Sequence, residues 1–144
     1  MLIHCYRAAN WLHRHNVPLL PHIIYRLQYL LCNCAVPPSC TLGPGTRFGY
    51  GGIGVVVHKR AVLGRNCSIG AGVVIGGRSG HREVPVIGDN VYISCGAKVL
   101  GPVKIGDNVV IGANAVVIHD VPSRCVVAGV PARIIKENIN ITDY

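Results

Sequence analysis

The sequence is poor in aromatic and in acidic residues. Of its 144 residues one is Phe and one is Trp, whereas half are hydrophobic and 18 are glycine. Val, Ile and Leu therefore supply most of the apolar volume, which favours many small, similar layers over a core built around aromatic rings. The formal charge is +8, but no run of five or more basic residues occurs. Such scattered charge argues against nucleic-acid binding and suits a phosphate-bearing small molecule or an anionic membrane surface.

The sequence also lacks the patterns of a disulfide framework, a zinc site and a membrane span. Its seven cysteines are odd in number and include no CxxC pair, and we see no signal peptide. We therefore expect reduced cysteines in a cytoplasmic protein that needs no metal. The apolar stretch IIYRLQYLLC, residues 23–32, is too short and too polar to cross a bilayer.

Residues 1–35 differ from the rest of the chain. Apolar residues recur there at spacings of three and four with arginines between them, which predicts two short amphipathic helices broken at Pro18 and Pro21. Two roles remain open for this segment. The helices could cap the end of a repeat array, which needs such a cap, or lie on a membrane surface with their arginines on lipid phosphates.

From Val57 onward the chain falls into six-residue repeats. Each repeat begins with an aliphatic residue, usually followed by glycine, and carries at its fifth position a small residue that we expect to fill the remaining interior. Neither an amphipathic helix nor an alternating strand has a period of six, whereas a parallel β-helix does. The leading positions, which we expect to point inward, are Val57, Leu63, Ile69, Ile75, Ile87, Ile93, Val99, Ile105 and Ile111.

Three repeats per coil would stack residues that lie 18 apart in the sequence. This predicts two ladders, one of Val57, Ile75, Ile93 and Ile111 and one of Ile69, Ile87 and Ile105. An earlier and fainter set of repeats, VPPSCT and LGPGTR, lies three residues out of frame.

The repeats end in AGVPARII, residues 128–135, and with a GG-containing loop this pattern resembles the left-handed β-helix acyltransferases. The resemblance covers residues 36–136 and is closest to the serine acetyltransferase branch and its exopolysaccharide O-acetyltransferase relatives. It implies a left-handed parallel β-helix, a homotrimer and acetyl-CoA as acetyl donor. Residues 137–144 would then form a C-terminal tail.

One interruption of the repeats is a candidate for the active site. Between Ile75 and Ile87 the chain reads GGRSGHREVPV, and His81 stands where an aliphatic residue is due. A polar, glycine-rich segment closed by proline predicts a loop extruded from the coil, over residues 76–86. In the resembling family this loop borders the channel for the acceptor and for pantetheine.

The stretch GIGVVVHKRAVLG, residues 52–64, supplies a candidate base. Acetyl transfer to a hydroxyl needs a group that takes the hydroxyl proton, and imidazole suits that task near neutral pH. His58 follows an inward-pointing Val57, so its side chain should emerge at the coil surface. We predict His58 as the general base, with His81 as a second catalytic residue and His119 as an exposed corner.

Small residues along the later coils are the candidates for binding acetyl-CoA, because they let the pantetheine arm lie against the coil. Arg133 and Lys136, just after AGVPA, could meet the nucleotide phosphates. The predicted cofactor-binding residues are Gly77, Ser94, Gly96, Ala97, Gly112, Ala113, Arg133 and Lys136.

The acceptor is less well defined by the sequence. Serine acetyltransferases carry an Asp-His-Ala-Thr-Gly run before their Gly-Val-Val stretch, and here Gly51 stands where that histidine would be. Our first prediction is therefore transfer to a sugar hydroxyl of a surface polysaccharide or its precursor. The alternatives are a serine acetyltransferase and a non-catalytic hexapeptide protein, either a scaffold or a metal binder similar to γ-carbonic anhydrase.

Overall fold

The computed structural model describes residues 1–144 and consists of two helices followed by a stack of short strands. Helix α1 spans Leu2–Arg14 and helix α2 spans Leu20–Cys32; short 3-10 turns lie at Gly49–Gly52 and Ile141–Asp143. The strands are β1 Thr41–Leu42, β2 Arg47–Phe48, β3 Val56–Val57, β4 Val62–Leu63, β5 Ser68–Ile69, β6 Val74–Gly76, β7 Val86–Ile87, β8 Tyr92–Ile93, β9 Lys98–Leu100, β10 Lys104–Ile105, β11 Val110–Ile111, β12 Val116–Val117, β13 Val126–Gly129 and β14 Ala132–Lys136.

Consecutive strands belong to three different sheets. The first sheet has the order β1-β4-β7-β10, the second β2-β5-β8-β11-β13-β14 and the third β3-β6-β9-β12. All neighbours are parallel except β13 and β14, which pair antiparallel and close the stack. The chain thus winds around three sides, and the predicted fold class, a left-handed parallel β-helix of hexapeptide repeats behind a short helical segment, is confirmed.

The six-residue repeat reflects which positions of each repeat are buried and which are exposed. The leading aliphatic and the small fifth residue both point into the coil, as at Ile69 and Val73, which are fully buried. The residue before the leading aliphatic faces outward, and Val56 is 43% exposed. Because only two inward side chains fit per side, the interior is a stack of thin aliphatic layers.

The ladders differ from the predicted ones. Ile75 pairs with Val99 rather than Ile93, and Ile69 pairs with Ile93, so partners lie 24 residues apart across the extruded loop. Partners lie 18 apart in the coils before and after it, as at Ile93 and Ile111, but 21 apart between the first two coils and 16 apart between β11 and β13. The loop contains six residues, the length of one repeat, that form no side of the coil. The predicted ladders were wrong here because they assumed a constant spacing of 18 residues. The observed ladders are Leu42–Leu63–Ile87–Ile105, Phe48–Ile69–Ile93–Ile111–Val127 and Val57–Ile75–Val99–Val117.

Helix α1 covers the open end of the first coil. The Tyr6 hydroxyl donates to the Cys40 carbonyl at 2.7 Å and accepts from the Leu42 amide at 3.2 Å. The Arg7 guanidinium donates to the carbonyls of Leu42 and Gly43, at 2.7 and 2.6 Å. Backbone groups that have no further coil to pair with are satisfied by these side chains.

Helix α2 is much less buried, and only Pro21 and Gln28 are covered. Pro18 lies between the helices as predicted, but Pro21 does not break a helix. It occupies the first turn of α2, where its missing N–H costs no helical hydrogen bond.

Candidate active site

His58 is the first residue of a corner, directly after β3. Val57 is buried in the coil, so the His58 side chain turns outward and is half-buried. The His58 amide donates to the Ile75 carbonyl of the next coil at 2.7 Å. A Cβ placed on Gly77 would lie 4.0 Å from His58 Cδ2, so the start of the extruded loop lies close to the imidazole.

One ring nitrogen of His58 already has a partner. The backbone N–H of Arg60 donates to His58 Nδ1 at 3.1 Å. Because Nδ1 accepts, the neutral ring carries its proton on Nε2. Partial burial, followed by the nearby cations Arg60 and Lys59, lowers the pKa of His58 below its usual value of 6.5. At neutral pH the side chain is therefore a neutral imidazole with an N–H directed outward.

The predicted loop lies between β6 and β7 and has no regular secondary structure. It folds back on the corner that holds His58, because the Arg60 guanidinium donates to the Arg82 carbonyl. His81 is exposed, and its amide donates to the Arg78 carbonyl at 3.1 Å. The structure thus brings both predicted catalytic histidines to one edge of the stack.

Arg60 is the residue that sequence reasoning missed. Its amide contacts the imidazole and its side chain contacts the loop, so one residue connects the two parts of the site. The cation was visible in the sequence directly after His58 and Lys59. Nothing in a single sequence, however, indicates that the loop returns to it.

The predicted cofactor residues occupy a different edge. Ser94 and Gly96 follow β8, Gly112 and Ala113 follow β11, and the two corners stack because Ile93 pairs with Ile111. This edge joins the second sheet to the third, whereas Gly77 lies with His58 on the edge that joins the third sheet to the first. Within one chain the candidate residues therefore form two groups.

Two of these positions have clear structural roles. Gly96 has φ of 76°, and a Cβ there would come within 2.0 Å of Asn114 Oδ1, so the corner itself requires glycine. Ala97 is 0% exposed. Its methyl group fills the coil interior and cannot line a surface groove, which corrects the prediction for this residue.

The two predicted phosphate ligands do not face the same groove. Both are exposed on β14, three residues apart. Arg133 borders a groove together with His119, which is itself exposed as predicted, and with Asp120. Lys136 instead lies 3.5 Å from the Tyr144 hydroxyl and 6.0 Å from the centre of that ring.

The chain contains no cluster of three or more His, Cys, Asp or Glu side chains placed to hold a metal ion. Neither helix has the length and apolar character that crossing a membrane requires.

The repeats of this chain are similar to those of known proteins. Residues 85–119 match the family described as bacterial transferase hexapeptide (six repeats). The chain is therefore a hexapeptide-repeat β-helix protein. Within that class it is similar to serine acetyltransferases, which it matches over about nine tenths of its own length.

The serine acetyltransferase of Synechococcus elongatus is 42% identical over 91% of this chain and 54% of the relative, and that of Staphylococcus aureus is 45% identical over 90% and 65%. Among solved structures, serine acetyltransferase from Neisseria gonorrhoeae has a TM-score of 0.88 at 33% identity, covering 96% of this chain and 55% of the other. Serine acetyltransferase in complex with coenzyme A from Brucella abortus has a TM-score of 0.89 at 34% identity, covering 94% and 54%. The chain thus spans between about half and two thirds of the length of these relatives.

Proposed function

We propose that this protein is an acetyl-CoA-dependent O-acetyltransferase. The acceptor hydroxyl oxygen bonds to the acetyl carbon, the carbon–sulfur bond breaks, the hydroxyl proton passes to a histidine and free thiol is released. The observation that supports this most is the edge where the loop folds onto His58, through Gly77 and through Arg60. That edge exposes two imidazoles in a chain whose relatives are named serine acetyltransferases.

For the donor we propose the second edge, at Ser94, Gly96, Gly112 and Ala113, with a contribution from Gly77. Its small side chains leave room for an extended pantetheine arm, and the Brucella neighbour was solved with coenzyme A. Arg133 and Lys136 would each meet a phosphate from a different groove, because they are exposed on separate sides of the closing hairpin.

The predicted homotrimer offers a way to join the two edges. In one chain they lie at different corners of a three-sided stack. In a closed ring of three copies, one edge of each copy can face another edge of its neighbour. We propose that each active site lies at such a boundary, with His58 from one copy and the small residues from the next.

Serine is the acceptor that the relatives favour, and we propose it ahead of the sugar predicted first from the sequence. One observation keeps the sugar as second candidate. Gly51, at the position where the resembling family has a histidine, adopts φ of 69° in a glycine-rich turn with open space beside it. Because no histidine side chain occupies the space beside Gly51, an acceptor larger than an amino acid has room there.

We also propose that α2 rests on an anionic membrane surface at the cytoplasmic face. Its outer side carries exposed apolar residues, and residues 1–82 contain nine Lys or Arg and no Asp or Glu. Apolar insertion together with attraction to lipid phosphates is the requirement for such binding. The exposed apolar residues of α2 are Leu20, Ile23, Leu27, Tyr29, Leu30 and Leu31.

Thiol release from acetyl-CoA tests the activity. Purified protein is given serine, nucleotide sugars or oligosaccharides, with His58→Ala and His13→Ala as variant and matched histidine control. Turnover on serine or on a sugar, reduced in His58→Ala alone, supports the transferase and identifies the acceptor. Failure to bind acetyl-CoA would support the scaffold alternative instead.

Vesicle sedimentation tests the membrane contact. We expect binding to anionic phosphatidylglycerol vesicles but not to phosphatidylcholine vesicles, and a loss of at least about tenfold in Leu30→Ser. Val130→Ser removes an equally exposed apolar side chain at the other end of the stack and should bind as the wild type does. Equal binding by both variants would contradict the assignment to α2.

A further inference from the structure

We propose that the two histidines have opposite roles: His58 donates a hydrogen bond through Nε2–H, and His81 takes the proton of the acceptor hydroxyl. This inference rests on the proposed acetyl transfer and divides the chemistry between its two candidate residues. It reverses the expectation that His58 is the base.

The contact at Nδ1 carries the argument. A neutral imidazole has one nitrogen that accepts and one that donates. At His58 the accepting nitrogen is Nδ1, which faces the Arg60 N–H at 3.1 Å. A base acting through Nε2 would need its proton on Nδ1, and two N–H groups would then point at each other. The backbone of the corner therefore holds the ring in the tautomer that donates outward.

The surroundings of His58 also oppose its protonation. A ring that took a proton would become a cation beside Lys59 and Arg60, with Nδ1–H directed at the Arg60 amide. Burial and these two cations lower the pKa of His58, in agreement with the geometry. The same features do not weaken its Nε2–H as a donor to a negatively charged oxygen.

His81 has none of these restrictions. Its side chain is exposed and has no contact like the one between the Arg60 amide and His58 Nδ1, so no backbone group fixes its tautomer. The loop that carries it is joined to the His58 corner because Arg60 donates to the carbonyl of the next residue, Arg82. The two rings thus belong to one edge, one with its acceptor occupied and the other free.

The two imidazole rings then have separate tasks in the reaction. The acceptor hydroxyl gives its proton to His81 as its oxygen bonds to the acetyl carbon. The oxygen of the acetyl group becomes negative and accepts from His58 Nε2–H. When the carbon–sulfur bond breaks, its electron pair leaves with sulfur, and the sulfur takes the proton back from His81 as free thiol.

Nitrogen NMR of the imidazole rings measures the tautomer without any turnover. Protein labelled with 15N-histidine is compared with His58→Gln to assign the His58 signals. We expect an Nε2–H neutral ring, with Nδ1 at the chemical shift of an unprotonated acceptor. An Nδ1–H ring would overturn the proposal.

Kinetics then separate donor from base. Glutamine retains an N–H donor but cannot act as a base, so we expect His58→Gln to keep at least about tenfold more kcat/KM than His58→Ala, whose loss we set at about 10²-fold. His81→Gln and His81→Ala should both lose about 10²-fold or more. His13→Gln, on the exposed side of α1, is the matched control and should equal the wild type.

Two outcomes count against the roles assigned here. The first is His58→Gln as inactive as His58→Ala, and the second is His81→Ala within about twofold of the wild type. Thermal unfolding of each variant identifies any loss that comes from misfolding. An inactive wild type with every acceptor would instead contradict the proposed function, and the NMR signals would still report the tautomer.

Discussion

The coil stack and the N-terminal helices use their apolar residues in opposite ways. In the coils each leading aliphatic is covered by a residue of the coil above and the coil below, and Ile93 is 0% exposed. In α2 the apolar side faces outward, and Leu30 is 78% exposed. Helix α1 lies between these extremes, since it buries Leu2, Tyr6 and Ala9 against the first coil. Repetition makes the stack self-sufficient, whereas several apolar side chains of α2 remain exposed although the helix packs against α1.

Shortening a side chain of the ladder should give the largest effect on stability. Ile93→Ala leaves a cavity between Ile69 and Ile111, and coils that pair on both sides cannot collapse freely into it. We expect the free energy of unfolding to fall by about 2–5 kcal/mol in chemical denaturation. Val56→Ala, a truncation on the outer face of a strand, should change it by less than about 1 kcal/mol. Equal losses of unfolding free energy in the two variants would contradict the prediction that inward side chains stabilise the stack more than outward ones.

Removing one hydroxyl from α1 tests how firmly the cap is attached. Tyr6→Phe leaves the Leu42 amide and the Cys40 carbonyl without this partner, and both groups are shielded from water. We expect a loss of about 1–3 kcal/mol. Tyr29→Phe, on the exposed side of α2, should change the free energy of unfolding by less than about 0.5 kcal/mol. A neutral Tyr6→Phe would mean that α1 contributes little to the stack.

The same hydroxyl predicts a pH dependence. Burial, with the neighbouring Cys40 thiol, raises the pKa of Tyr6 from 10.0 to about 12. The folded chain then holds the phenolic proton more tightly than the unfolded chain, so this stabilisation is complete below about pH 10 and is lost as pH rises towards 12. Stability of the wild type should decline more steeply over this window than that of Tyr6→Phe. Parallel declines would contradict the assignment.

The smallest effect is expected on α2. Leu30→Ser exchanges an exposed apolar side chain for a polar one, so the free energy of unfolding should stay within about 0.5 kcal/mol of the wild type. The change should appear in vesicle binding alone. A marked loss of stability without vesicles would show that α2 packs against the protein more closely than its exposure indicates.

Much of the architecture could be predicted from the repeats. The inward positions were correct at both the leading and the fifth residue, because a period of six is incompatible with other regular structures. The two helices were also predicted, apart from Pro21, which belongs to the first turn of α2. The ladders were wrong across the loop, because a count of residues does not distinguish a repeat that forms a side of the coil from one that leaves it. The predicted neighbours beyond the loop, Ile93 with Ile111 and Ile87 with Ile105, were correct.

The candidate site could be predicted only in part. His58 and the loop were identified by their chemistry, and the structure places them at one edge. The role of Arg60 could not be predicted, because its contacts join segments 22 residues apart. Ala97 was assigned to a groove because small residues suit both a groove and an interior, and only burial separates the two.

The sequence by itself determined that the chain winds into a parallel stack of coils, because a period of six fits neither an amphipathic helix nor an alternating strand. The tertiary structure alone decided which strands pair, since the pairing depends on how many residues the loop places outside the coil. It also decided the state of His58. The tautomer of an imidazole is set by whichever group lies against its nitrogen, here an amide two residues ahead that the turn of the corner brings within 3.1 Å.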